Sequence, residues 1–164
     1  MNGVTVTRNA FQMVILVPET LVTLPADGEW AAWVTSTRVG GRTSVVLASI
    51  TVTPLDSPGT PKSPAARSLA GRVLARYPAG TAQVEEFTTP GGNHAVRVRR
   101  VVLQRRGDRD VTTGQAQALV VFPEPGALGI VSGVALDPDD LDRAALVVTE
   151  IAAGMTITSA PVVA

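Results

Sequence analysis

The chain contains no cysteine and a single histidine, His94. Without thiols there is no disulfide framework, no thiolate metal site, no cysteine nucleophile and no lipid-bearing N-terminal cysteine. One imidazole leaves zinc binding or histidine-based acid–base chemistry a single ring to work with. Lysine is nearly missing as well: of the 14 basic residues all but Lys62 are arginine, and they balance 14 acidic residues to a net charge of zero. That arginine bias reads as the codon usage of a GC-rich genome. Aromatic residues are scarce, with two Trp, three Phe and one Tyr, a poor supply of platforms for stacking on bases. Long apolar runs are absent. The best of them, Phe11 to Leu24, is broken by Pro18 and Glu19 and stops at Pro25, short of the ~18 to 20 apolar residues that a membrane span requires. The first residues do not show a basic region, an apolar core and a small-residue cleavage site in that order. The expectation is a cytoplasmic chain with no signal peptide, no lipobox and no integral membrane span.

What is present is a chain of 164 residues, 45% hydrophobic and only 17% charged. One domain of that size hides about 70% of the surface of its unfolded form, so a core is within reach without metal or disulfide. The lean charge predicts a partner surface or a homodimer. Charge is also segregated along the chain: residues 62–110 carry a net +6 and residues 111–164 a net −5.

Periodicity and turn chemistry mark out the elements. Ala10 to Val17 is a strand stopped by Pro18. Trp30 to Arg38 and Thr43 to Pro54 form a hairpin around Gly40-Gly41, and the continuous apolar pattern of its second arm predicts burial on both faces. Leu55 to Pro64 is a loop. From Ser63, as N-cap, to Pro78 a helix presents Ala66, Ala70, Val73 and Tyr77 on one face. A meander follows in Ala82 to Thr88, His94 to Gln104 and Val111 to Phe122, then a strand from Gly129 to Leu136. The last helix runs from Pro138 to Ala153, capped by Asp137 and ended by Gly154, and Met155 to Thr158 adds a short strand. The fold class is α+β: a twisted antiparallel sheet of about six strands flanked by two main helices, in one domain over residues 1–158 with a tail at 159–164.

Three features carry a resemblance: the opening Phe11-Gln12-Met13-Val14 to Pro18, the strand Val46 to Val52 with its loop and helix, and the closing block Leu141 to Ile157. In these the chain resembles the PsbP-like superfamily, which includes the photosystem II extrinsic protein, a Ran-binding nuclear import factor, mycobacterial cell-wall lipoproteins and bacterial secretion-effector chaperones. The resemblance implies an α/β/α sandwich and a non-catalytic, protein-binding adaptor or chaperone-like role, linked to bacterial secretion or the cell envelope, without cofactor. The departures are the lack of a lipobox cysteine, which the cell-wall lipoproteins have, and of a transit peptide, which the chloroplast members have.

No residue set forms a recognisable catalytic or metal site. His94 follows a Gly-Gly-Asn turn with no positioned nucleophile beside it. Ser132 lacks the first glycine of a nucleophile elbow. Asp137, Asp139, Asp140 and Asp142 lack the glycine and distal glutamate of a calcium loop and suit a helix start. Glu85 and Glu86, adjacent on a strand, point to opposite faces. Candidate partner-binding residues are therefore Trp30 and Trp33, which together suit an apolar groove, and Arg97, Arg99, Arg105 and Arg106, an arginine strip that selects for acidic character at a rim. Neutral net charge and few aromatics exclude nucleic acid. The alternatives are a small-ligand site or enzyme around His94 and the arginine strip, and a structural homo-oligomer subunit.

Overall fold

Buried and exposed side chains alternate along most strands, and that period of two sets the layers. A computed structural model describes residues 2–24, 30–55, 77 and 80–160. Two sheets result. β1 (Asn2–Arg8), β2 (Phe11–Val17) and β10 (Met155–Ser159) form a small antiparallel sheet in the order β1-β2-β10. β3 (Val22–Thr23), β4 (Ala31–Val39), β5 (Arg42–Pro54), β6 (Gln83–Thr88), β7 (His94–Arg106), β8 (Arg109–Phe122) and β9 (Ala127–Ala135) form a large one in the order β3-β4-β5-β9-β8-β7-β6. A turn of 3₁₀ helix (Pro138–Asp140) leads into α1 (Leu141–Ala153).

Register places Trp33, Ala48, Gly133, Ala116 and Arg99 in one row across the large sheet. Their face is covered by α1 and by the small sheet, whose Val6, Met13 and Ile157 form a facing row. The small residues are a requirement of this packing. A Cβ on Gly133 would stand 2.7 Å from Val148 Cγ1, and one on Gly129 would stand 2.5 Å from Met155 Sδ. On the opposite face of the large sheet Val96, Val98 and Leu119 form a second cluster with Tyr77, Val84 and Ile130.

The α+β sandwich stands, but the expectation of about six strands in a single sheet does not. Ten strands divide between two sheets, with α1 the one helix among the described residues; the expected helix from Ser63 to Pro78 lies outside them, Tyr77 apart. The sequence reading missed the two-residue β3 and, with larger consequence, β1. Its turn, Asn9-Ala10, has φ of 54° and 66°, the two-residue geometry of a tight hairpin, and Asn9 Nδ2 donates to Val52 O at 2.9 Å. β5 also departs from expectation: Val46, Ala48, Ile50 and Val52 are buried, whereas Leu47 is 41% exposed. Its apolar residues outnumber those its one buried face needs. Pairing of β10 continues through Ser159, past the expected end of the domain at residue 158, and Ala160 N–H donates to Ala10 O.

Candidate functional site

The arginines sort into two groups by which elements reach them. At the base of β7, Arg97 and Arg99 point toward α1. Arg97 Nε donates to Glu85 Oε1 at 3.0 Å and its Nη1 to Thr149 Oγ1 at 2.9 Å, with the guanidinium over the Phe87 ring. Arg99 Nη1 donates to Asp142 Oδ1 at 2.8 Å, and its Nη2 lies 3.4 Å from Glu85 Oε1. The bond from Arg97 is the main reason that the Glu85 carboxyl is held below its usual range, with the Arg97 and Arg99 charges adding to it against partial desolvation. Arg100, on the other face, donates to Gln115 Oε1 and stacks over Tyr77 at 4.8 Å.

Further along, the hairpin loses its neighbours. β6 pairs β7 only as far as Arg99, and β9 pairs β8 only from Gly114 onward. From Val102 and Thr113 to the turn, β7 and β8 therefore pair with each other alone and project as a two-stranded arm. Such a ribbon is marginal by itself. Leu103 on the arm is 66% exposed and Val101 at its root 54% exposed. Arg106 sits directly opposite Arg109 in the ladder, a like-charge pair that costs stability. Arg105 reaches only the carbonyl of Gly107, at 3.4 Å. Among the described residues no carboxylate forms an ion pair with Arg105, Arg106 or Arg109.

The two tryptophans do not share a groove. Trp33 is fully buried in the core, its Nε1 lacking a hydrogen-bond partner, while Trp30, just before β4, is 38% exposed. β5 and β9 lie between β4 and β8, so Trp30 and the arm belong to separate surfaces. His94 opens β7; its Nε2 is 3.7 Å from Glu86 Oε1.

Sequence reasoning missed a clamp between the β4–β5 hairpin and the start of α1. Arg42 grips Asp140 through both guanidinium nitrogens, at 2.8 and 2.6 Å, although Asp140 is only 5% exposed. Arg143 Nη1 donates to Ser44 O and Oγ, both at 2.8 Å, and its Nη2 to Thr35 Oγ1 at 3.2 Å. Arg42 holds the Asp140 carboxyl down to about 2, with help from Ser44, and Asp140 in turn raises Arg42. Capping itself is performed by Asp137, whose Oδ1 accepts from Asp139 N at 2.9 Å, as its place before Pro138 predicts. The available signal for the clamp was an acid deeper in the first turn than any cap requires.

No family model matches the chain, and no curated protein matches it. Among solved structures it is similar to LpqN, described as involved in cell envelope biogenesis of Mycobacterium tuberculosis, at a TM-score of 0.53 and 17% identity over 96% of this chain and 91% of that one. It also matches the Saccharomyces cerevisiae Ran-binding protein Mog1p at a TM-score of 0.48 and 12% identity, over 95% of each chain. The likeness to LpqN is one of fold, and it is the α+β sandwich that the resemblance to PsbP-like proteins implies. No helix among the described residues is long and apolar enough to cross a membrane.

Proposed function

We propose that this chain is a non-catalytic, protein-binding adaptor whose β7–β8 arm engages a partner with an apolar patch rimmed by acids. One observation carries the reading: the arm presents Val101 and Leu103 to solvent on the face that Arg105 shares, Arg106 and Arg109 oppose each other on the other face, and among the described residues none of these arginines forms an ion pair with a carboxylate. Burying the two apolar side chains supplies the favourable term, and carboxylates on the partner would relieve the repulsion between Arg106 and Arg109 while setting orientation and on-rate. Of the candidate residues, Arg105 and Arg106 form the contact, Arg97 and Arg99 fix the root of the arm to α1, and Trp33 is a core anchor. LpqN's described part in cell envelope biogenesis is compatible with an adaptor for envelope assembly or secretion. A cleft of about 480 Å³ at the far end of β8 is lined by neither His94 nor any arginine.

A photo-crosslinking side chain at Leu103 tests this in the native host. One discrete adduct is expected, lost when Arg105 and Arg106 are both changed to Glu and absent when the probe replaces Leu146, which is 58% exposed on α1. Equal labelling from Leu103 and Leu146 would remove the basis for the proposal; an adduct of twice the chain mass would assign the arm to self-association instead.

A further inference from the structure

The far end of the molecule holds an unpaired strand edge. β10 bonds to β2 through its even-numbered residues, as the contacts of Gly154 O with Leu16 N and of Ala160 N with Ala10 O show. Alternation then turns the N–H and C=O of Ile157 and Ser159, and the C=O of Met155, away from β2. No strand among the described residues lies on that side. Met155 and Ile157 are only 6% and 3% exposed, so their outward backbone groups have little access to water, whereas Ser159 is exposed; buried backbone donors and acceptors without partners are rare in folded proteins. Alongside the edge runs the cleft of about 480 Å³, between β10 and the turns that follow β6 and β8. Phe122 and Ile157 give it apolar walls, Thr89 and Asn93 lie at the β6–β7 turn, and Glu124 is its single charged lining residue. No arginine is paired with Glu124 among the described residues.

We propose that this cleft is a second binding site, which accepts an extended segment of a partner protein as a fourth strand of the small sheet, antiparallel to β10. Donors and acceptors repeating at every second residue match only an extended backbone, and strand addition of this kind takes its affinity from main-chain bonds and its selectivity from alternate side-chain pockets. The segment carries small apolar residues at alternate positions, directed at the large sheet like Met155 and Ile157, and a basic residue that meets Glu124. The site lies at the opposite end of β8 from the arm and does not depend on it.

The test uses the intact chain and an eight-residue peptide alternating valine with threonine and ending in lysine. In an antiparallel pair the residues that bond to β10 are those whose side chains point inward, the valines. Saturable binding is expected, abolished by N-methylation of the valines, retained on N-methylation of the threonines, and accompanied by slowed amide exchange at Ile157 and Ser159. Ser159→Pro, which removes an N–H that β2 does not use, should weaken binding roughly three- to tenfold. Glu124→Lys should weaken it too and reverse the preference toward a peptide ending in glutamate. Equal binding of the two methylated peptides, no saturation by the folded protein, or the same amides protected by self-association without peptide would each overturn the proposal.

Discussion

Arginine does opposite things at the two ends of one strand. At the root of β7, Arg97 and Arg99 are tied to Glu85, Thr149 and Asp142, so they join β6, β7 and α1 into one packed unit. A few residues later Arg105 and Arg106 leave the shelter of both neighbouring strands; Asp110 stands across the ladder from Arg105, but among the described residues neither arginine forms an ion pair. Residue type is the same in the two places, although Arg97 and Arg99 share a strand face and Arg105 and Arg106 do not. What separates them is whether another element stands across the sheet, and the same test marks Arg42 and Arg143 as internal, since both bind groups nearly 100 positions away. A charged strip in a sequence thus records where guanidinium groups lie on a strand; its function is decided by tertiary neighbours.

The contrast is broken most severely by disturbing the layer that shelters the root. Gly133→Leu pushes a side chain into Val148 and lifts α1 off the sheet, with an expected loss of about 3 kcal/mol in urea unfolding. Acid acts on the clamp next. The Asp140 carboxyl is held at about 2 against an ordinary 3.8, so the unfolded chain takes up its proton first. The stabilisation is complete above 3.8 and is lost as pH falls toward 2. Asp140→Asn should flatten that part of an acid-unfolding curve and lower stability at neutral pH, because Arg42 is left facing an uncharged partner. Arg97→Ala comes third: losing the bonds to Glu85 and Thr149 should cost about 2 kcal/mol and speed amide exchange in β6.

Most of this architecture is written in local pattern. Gly40-Gly41, Gly107 and Gly126 all adopt the positive φ that a tight turn demands, so the hairpins are legible from glycine placement. The Asp137-Pro138 start and Gly154 end of α1 are legible for the same kind of reason. The β1–β2 hairpin was not, because Asn9-Ala10 offers no glycine and Ala10 takes a left-handed conformation that its residue type does not advertise. Division into two sheets was invisible because it depends on β10 pairing with β2 from the other end of the chain. The candidate site was half legible: the arginines were found, but that Arg97 and Arg99 are held internally follows from Glu85 and Asp142, which only register and packing bring to them.

The smallest expected change in stability is also the most informative about function. Replacing Arg105 and Arg106 together by Glu touches no ion pair of the chain, and surface substitutions of this sort shift stability by no more than about 0.5 kcal/mol. Arg106→Glu relieves the repulsion with Arg109 while Arg105→Glu sets a carboxylate opposite Asp110, so the two effects offset and almost no net change is the expected result. Adduct formation through Leu103 should nonetheless disappear, because the partner's acids would now face carboxylates. Arg97→Ala supplies the mirror result, a measurable loss of stability with the arm's own chemistry intact. A protein whose Glu pair is as unstable as Arg97→Ala would show that the arm is part of the packed body; one that keeps its stability and its adduct would show that the arginines at the tip recognise nothing.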